Sequence, residues 1–417
     1  MSNMRNALSF LLAVLIVPVA DTGAGLTAAA HAQQQRYDDV VRNLRNPDPE
    51  ARMSALRLLR ESKHLEAIEP IAALVLDPLD GVQLAAIDTE LSFYLVDDVP
   101  GRRRVALVVE VRNAGRAETA FSSGPLAIWP RPVPGTLLTN LLAAVDDENP
   151  KVRVEALYTF GAIAPPAAGA YAEVLIKALD HYDPAIRAGA ARVIGRVQVK
   201  AAGPALIKAV NDSQEPVRFA AMRALGEIGE GTAILALTEQ LDHYRKGEGA
   251  WSALDGLARI GHPSSVAAFT SRITDKDPYI RRAAAEGLAR AKDPSSRVVL
   301  ESAVSTDSSA MVRAAMAFAL QRLGGNFIAR LANSLDSDRL APQVAGYFLE
   351  LGPAAAGELA AHLKDPSDAI RSNTATILGA IGGPAESALL QPLLQDRSTD
   401  VRRAAERAIQ RITMRGA

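Results

Sequence analysis

The sequence contains no cysteine and few aromatic residues. None of its 417 residues is cysteine, and Phe, Trp and Tyr together make up 5% of the chain. The absence of cysteine excludes disulfides, thiolate metal sites, a cysteine nucleophile and a lipid-modified cysteine. Alanine is frequent instead. This combination favours closely packed helices over a sheet core, where β-branched and aromatic residues are preferred.

An excess of charge of one sign is also missing. The 46 Lys and Arg residues balance 47 Asp and Glu residues, which leaves a net charge of −1 at pH 7. The chain therefore lacks the bulk positive field of a dedicated nucleic-acid binder, and only a local basic patch stays open. The 48% of hydrophobic residues is ordinary for a globular protein of this length.

Long hydrophobic runs are confined to the N-terminus. Arg5 precedes the apolar stretch Ala7–Ala20, and Ala30-His31-Ala32 has the form of a signal-peptidase site. The run is short for a membrane-spanning helix. We therefore expect residues 1–32 to be a signal peptide and the mature chain to be periplasmic or at the bacterial cell surface. An uncleaved N-terminal anchor is the alternative, because the stretch carries a single positive charge.

One sequence phrase recurs along nearly the whole chain. In residues 212–229 an acidic turn with Pro216 precedes Val217, Ala221 and Leu225 at helical spacing, and Gly229 ends the pattern. Aligned on its arginine, the phrase repeats at steps from 28 residues (Gln343 to Arg371) to 34 residues (Arg153 to Arg187). The aligned residues are Arg52, Gln83, Arg153, Arg187, Arg218, Ala250, Arg281, Arg313, Gln343, Arg371 and Arg402. A fixed period near thirty residues predicts a stacked array of about eleven helical hairpins.

The phrase Asp-x-x-x-Val-Arg-x-x-Ala-x-x-Ala-Leu-Gly-x-Ile-Gly resembles the short HEAT repeats of the phycobilisome-lyase type. The best copies are residues 183–195, 215–229, 368–382 and 400–412. The resemblance implies an all-α solenoid in which the arginine and nearby turn aspartates form a ladder between units. Asp183 with Arg187, Asp277 with Arg281 and Asp368 with Arg371 show the local version. We expect a structural ladder, rather than a phosphate-binding row, of Arg153, Arg187, Arg218, Arg281, Arg313, Arg371 and Arg402.

A longer interval interrupts the array between Gln83 and Arg153. The extra segment, residues 96–134, begins with the β-branched stretch Arg104–Arg112, and Glu118–Phe121 is expected to return as a second strand. We therefore predict a β-rich, proline-rich insertion between N-terminal repeats at 33–95 and the main array at 135–417. An insertion at one rim either engages a partner or serves as a packing flap.

The resemblance also implies that the second helix of each unit lines the concave face. Residues one, four and five positions after the ladder arginine are expected to point into this face. They include Tyr158, Phe219, Met222, Trp251, Leu254, Phe318 and Tyr347. Such a concentration predicts an aromatic-lined groove for a peptide or partner helix. The alternative is that these side chains fill gaps between helices.

No enzymatic motif is complete in the chain. HEAT-like deoxyhypusine hydroxylases hold iron through His-Glu pairs, and none of the six histidines here is followed by glutamate. Phycobilin lyases act in the cytoplasm, which the export signal opposes. Trp251 and Asp255 are spaced as in HEAT-like DNA glycosylases, but Asp255 is expected to face solvent. We therefore expect no catalytic residue, metal or cofactor.

The function expected from the sequence is that of a cell-envelope scaffold or adaptor. It would bind a protein or peptide partner through its concave face, with the insertion as a second contact, and would not bind nucleic acid. The alternative is a lyase-like or cofactor-handling HEAT-repeat enzyme.

Overall fold

The computed structural model describes residues 34–97, 115–167 and 169–416. The expected signal peptide and the predicted strand Arg104–Arg112 lie outside these residues. Within them the all-helical repeat architecture is confirmed, with a helical hairpin at each of the eleven aligned positions.

The described helices alternate between shorter first helices and longer second helices. In chain order they are α1 (34–43), α2 (Pro49–Ser62), α3 (Ile68–Ala72), α4 (Asp80–Tyr94), α5 (Arg116–Ser122), α6 (Gly135–Ala143), α7 (Pro150–Ile163), α8 (Ala172–Ala178), α9 (Pro184–Val197), α10 (Gly203–Ala209), α11 (Glu215–Ile228), α12 (Ile234–Tyr244), α13 (Gly247–Ile260), α14 (Val266–Thr270), α15 (Pro278–Ala291), α16 (Arg297–Ala303), α17 (Ala310–Arg322), α18 (Ile328–Asn333), α19 (Ala341–Leu351), α20 (Ala356–Ala360), α21 (Asp368–Ile381), α22 (Pro384–Leu390) and α23 (Thr399–Gly416). The second helices are α2, α4 and the odd-numbered helices from α7 to α23. No described helix is long and apolar enough to cross a membrane.

Local chemistry fixes where the second helices begin and end. Asn149, Asp183 and Asp277 each accept a hydrogen bond from the backbone N–H two residues later, at 2.8–2.9 Å, and a proline follows each of them. Such caps contribute about 1 kcal/mol each. Gly229 ends α11 at φ 70°, a left-handed conformation that suits glycine.

The second helices form the inner layer of the solenoid. They pack against one another along their lengths, whereas the first helices pack mainly against their own partners. Small residues allow this approach: a Cβ atom added at Gly226 of α11 would lie 2.8 Å from the Cα atom of Gly256 in α13. Arg290 of α15 also reaches Glu350 of α19 across α17. Contacts between next-but-one helices occur on the inside of a curve, so these residues lie on the concave side.

The prediction of a β-rich insertion is wrong. The expected return strand Glu118–Phe121 lies inside helix α5, because Ala117, Ala120 and Phe121 recur at helical spacing and face α7. In the described residues the β contact is a single antiparallel bridge between Leu95 and Ile128. The alternation in sequence was too short to distinguish a strand from one amphipathic turn of helix.

The last repeat contacts the segment that follows α4. Arg411 of α23 donates to the carbonyl oxygens of Leu126 and Ile128 at 2.8 and 2.7 Å, 285 and 283 residues earlier in the chain. Arg407 forms an ion pair with Asp97. Burial, together with nearby Arg415, lowers the pKa of Arg411 to about 10. The solenoid is therefore closed by a contact between its C-terminal repeat and residues 95–97 and 125–128, which we call the closing segment.

Candidate partner-binding face

A ladder of arginines holds successive units in register. Three arginines each donate two hydrogen bonds, from Nε and Nη2, to the turn aspartate of the next unit at 2.7–2.9 Å. These pairs are Arg187–Asp212, Arg281–Asp307 and Arg371–Asp396. The Nη1 of each arginine donates to a carbonyl oxygen of its own turn, six residues earlier. Hydrogen bonding to the guanidinium holds the pKa of each of these aspartates below its ordinary value.

Other rungs use the same geometry with different partners. Arg153 donates to Asp183 at 2.9 Å, and Nε of Arg218 donates to the hydroxyl of Tyr244 at 2.6 Å. Arg313 and Arg402 bind the carbonyl oxygen six residues earlier in their own turns, at 2.6 Å. The expected pairing of Asp183 with Arg187 within one unit is wrong. Asp183 caps α9 and accepts a hydrogen bond from Arg153 of the preceding unit. The equivalent bonds of Arg281 and Arg371 also run to the next unit rather than to Asp277 and Asp368.

Most of the expected concave-face anchors are buried between helices. Exposure is at most 6% for five of them, which are Tyr158, Met222, Leu254, Phe318 and Tyr347. Phe219 and Trp251 are half-buried. Met222, Leu254 and Tyr347 stand four positions after the ladder position, and Tyr158 and Phe318 stand five positions after it, but all five belong to the core. The five buried residues therefore offer no surface to a partner, and the wide aromatic groove is not formed.

Charged residues occupy the concave side instead. They stand five and nine positions after the ladder position in consecutive second helices, and we call this set the inner strip. Its members are Arg192, Arg196, Arg223, Glu227, Asp255, Arg259, Glu286, Arg290 and Arg322, and the uncharged, buried Phe318 takes the remaining position in α17. The strip lies on helices α9, α11, α13, α15 and α17. In the sequence, the strip is indicated by arginines nine residues after a ladder arginine, as in Arg187 to Arg196 and Arg313 to Arg322. The prediction of an aromatic-lined groove did not use this spacing.

Two acids of the inner strip are deeply buried and paired. Asp255 has a 5% exposed side chain and accepts from Nε of Arg259 at 2.8 Å, so the expectation that Asp255 faces solvent is wrong. Burial alone would raise the pKa of Asp255, but Arg259 outweighs it and the pKa is lowered. Glu286 behaves in the same way beside Arg282, whose Nε donates to it at 2.8 Å. Both carboxylates are therefore ionised and held in fixed positions.

An aromatic pair supports the acid at the C-terminal end of the strip. The hydroxyl of Tyr347 donates to Glu286 at 2.5 Å, and its ring stacks on Phe318 with centroids 4.3 Å apart. Glu350 accepts from Arg290 and Arg322 at 2.9 and 2.8 Å. Tyr347 thus positions the carboxylate of Glu286, and both aromatic rings are buried.

The accessible part of the face is centred on Trp251. The guanidinium of Arg223 lies 4.4 Å from the centroid of the Trp251 ring and donates to Glu248 at 2.8 Å. The side chains of Arg223 and Arg259 are 29% and 38% exposed. This arrangement offers a half-buried tryptophan ring and the partly exposed side chains of two arginines.

Helix α5 covers the neighbouring part of the same face. Arg192 donates to Glu118 and Ser122 of α5 at 2.6 and 3.0 Å, and Phe121 packs on Tyr158 with centroids 5.3 Å apart. The inner face of α7 and α9 is therefore filled by the chain itself. The surface between α11 and α17 is the part that α5 leaves open.

The described residues contain no group of three His, Asp or Glu side chains arranged to hold a metal ion. In the inner strip, Asp255 and Glu286 are paired with arginines. The chemistry of the face is therefore that of charge-assisted hydrogen bonding and aromatic contact.

Comparison with known proteins places the repeats in a known class. The family model described as HEAT repeats matches residues 138–197, 172–248, 245–321 and 333–410, together well over half of the chain. The sequence matches none of the curated proteins.

The solved structures that are similar to this chain include the following three. An engineered protein is 18% identical, covers 90% of this chain and 98% of its own, and has a TM-score of 0.42. The complex of CpcE and CpcF of phycocyanin lyase from Nostoc sp. PCC7120 is 20% identical over 58% of this chain and 94% of its own, with a TM-score of 0.41. Importin beta is 15% identical, covers 90% of this chain and 57% of its own, and also has a TM-score of 0.41. These values do not support the transfer of a function.

Proposed function

The chain belongs to the HEAT-repeat family, and we propose that it is a non-catalytic protein-binding scaffold of the bacterial cell envelope. HEAT arrays generally present extended surfaces to other proteins. The proposed location rests on the N-terminal sequence, where an apolar stretch and Ala30-His31-Ala32 have the pattern of an export signal.

The binding surface in this proposal is the inner strip between α11 and α17 together with Trp251, whose ring lies against Arg223 of the strip. The observation that carries it is the pair of Arg223 and Trp251, stacked at 4.4 Å on two adjacent helices with Arg259 accessible beside them. Tryptophan and arginine are the residues that most often dominate binding energy at interfaces. Carboxylates and an apolar side chain on an extended protein segment would complement this surface.

The array suits such binding because its face is already ordered. The ladder and the buried acid–arginine pairs fix the helices that carry Arg223 and Trp251. Little conformational entropy is then lost when a partner docks, since the side chains are held in place before binding. The earlier expectation of Tyr158 as an anchor is replaced, because that residue is buried and its hydroxyl accepts from Arg192.

A co-purification experiment with matched variants tests the proposal. The double variant Arg223→Ala, Trp251→Ala removes one cation of the inner strip and the ring that lies against it. The control, Lys208→Ala with Tyr182→Ala, also removes one cation and one aromatic ring, but from outside the inner strip. The side chain of Lys208 is 75% exposed, and Tyr182 is 77% exposed. We expect a partner captured from envelope extract to be lost with the inner variant and kept with the control. Equal capture by two variants that remain folded, as judged by circular dichroism, would refute the inner strip as the binding surface.

A further inference from the structure

One rung of the ladder is incomplete on its acidic side. In the three rungs where an arginine binds an aspartate with two hydrogen bonds, the aspartate stands six residues before the ladder position of the next unit, as Asp307 does before Arg313. After Arg313 the next ladder position is Gln343, and the residue six before it is Ser337. Serine is too short and carries no charge to replace the carboxylate.

Arg313 is consequently left with an open edge. Its Nη1 still donates to the carbonyl oxygen of Asp307 at 2.6 Å. In the described residues its Nε and Nη2 bind no protein group, whereas Arg281 one unit earlier uses the same two atoms to hold Asp307 at 2.7 and 2.9 Å. The edge that elsewhere grips a planar carboxylate in two hydrogen bonds is therefore present and unfilled.

A cavity lies where the missing carboxylate would stand. Its volume is about 330 Å³, and it lies between Arg313 and Ser337 with Arg330, Asn333 and Asp336 in its wall. Arg330 is anchored by bonds to the carbonyl oxygen of Val304 at 2.8 Å and to Ser305 at 3.3 Å. Two arginines thus face a space large enough for a small acid.

We propose that this cavity is a carboxylate-binding site, with Arg313 as the bidentate donor and Arg330 as a second cation. A carboxylate fits better than phosphate for two reasons. The geometry is that of the intact aspartate rungs, and Asp336, which accepts from Ser367 at 2.5 Å, places a negative charge in the wall that disfavours a doubly charged anion. The ligand is a free small acid or the carboxylate of a protein chain.

The second gap in the ladder shows why an empty position alone is not enough. Asp275 stands opposite Ala250, and the cavity there is lined by Asp242, Arg245, Arg272 and Asp275. Two acids balance two arginines at this gap, so it has no excess of either charge. The Arg313 cavity, with two arginines and one acid, is the one suited to an anion.

The site is tested with acetate as the probe, at constant ionic strength, against chloride and sulfate. We expect acetate to raise the melting temperature of the full chain in a saturable manner, because a ligand that binds the folded state stabilises it. Ser337→Asp is expected to raise the melting temperature without acetate and to abolish the acetate effect, since the new carboxylate fills the site. Arg281→Gln, at an intact rung, is the control and should keep the effect.

Two further arms separate the sources of the carboxylate. A short peptide with a free C-terminus is compared with its C-terminal amide. Binding of the acid form at least tenfold tighter than acetate would assign the site to a protein chain end, and equal binding would assign it to small acids. An acetate effect that is absent, that does not saturate, or that survives in Ser337→Asp would overturn the proposal. This site is independent of the inner strip, so its failure leaves the proposed function untouched.

Discussion

At the scale of single residues, the least ordinary group is Glu90 on α4. It is fully buried, and neither carboxylate oxygen has a hydrogen-bond partner among the described residues. Burial raises the pKa of Glu90 well above its ordinary value of 4.5. The neighbouring Tyr94 also has a raised pKa, through burial and the proximity of Glu90. An acid in this setting is tolerated in its neutral form and costs stability when it ionises.

This environment predicts that Glu90→Gln stabilises the protein at neutral pH. Because the folded-state pKa is raised, the wild-type stability is complete below pH 4.5 and is lost as the pH rises through the raised value. The glutamine variant does not suffer this loss. We expect a gain of about 1–3 kcal/mol at pH 7 that vanishes near pH 4, measured by urea unfolding.

The control for this prediction is Glu61→Gln, at an exposed position of α2. It should change stability little at either pH. A Glu90→Gln variant that is less stable than wild type at pH 7 would show that the carboxylate has a partner in solution.

At the scale of elements, the ladder stabilises neighbouring units through ion pairs that are mostly shielded from solvent. The side chains of Arg281 and Asp307 are 12% and 8% exposed. The pKa of Asp307 is lowered mainly by its hydrogen bonds from Arg281. Its contribution is therefore complete above the ordinary value of 3.8 and is lost as the pH falls through the lowered value.

Two aspartates allow the contribution of one rung to be isolated. Asp307 and Asp275 occupy the same position of the turn, and each accepts from the backbone N–H two residues later at 2.8 Å. Only Asp307 accepts hydrogen bonds from a ladder arginine of the preceding unit, because the ladder position opposite Asp275 is occupied by Ala250. Replacement by asparagine keeps the turn bond in both. We expect Asp307→Asn to cost about 1–3 kcal/mol more than Asp275→Asn at pH 7, by urea unfolding.

The pH dependence provides the second criterion. The difference between the two asparagine variants should shrink below pH 3.8, as Asp307 becomes protonated in the wild type. Equal costs at pH 7 would mean that the ladder sets register without adding stability.

The comparison with the sequence is clearest at this scale. The helices, their caps at Asn149 and Asp183 and their glycine ends follow from local spacing, and the sequence predicts them well. The direction of the ladder bonds does not, because Arg187 lies four residues from Asp183 but binds Asp212, and local distance favoured the wrong partner.

The candidate site was predicted less well for a physical reason. The position of a side chain on a helix is fixed by a 100° step per residue. Which part of that circle faces the concavity depends on how neighbouring helices pack, and the sequence leaves this open. Trp251 and Phe219, one position after the ladder, stay half-buried, while Met222 and Leu254, three positions later, are in the core.

At the scale of the whole molecule, helix α5 covers part of the inner face and the closing segment holds the last repeat. Helix α5 fills the inner face of α7 and α9, and the last repeat is held by Arg407 and Arg411. The proposed partner surface, between α11 and α17, lies next to the part of the inner face that α5 fills. The chain is therefore closed on itself by contacts between its last repeat and the closing segment.

Closure of the solenoid is tested most directly by a distance measurement with spin labels. The chain lacks cysteine, so cysteines introduced at the exposed positions Ser123 and Glu406 carry the only labels. Closure predicts a short, narrow distance distribution in the otherwise unchanged protein. In the variant Arg407→Ala, Arg411→Ala the distribution should broaden and its mean distance should increase. Both should stay unchanged in the control Arg403→Ala, at an exposed position of the same helix. A broad distribution in the protein that retains all three arginines would contradict closure.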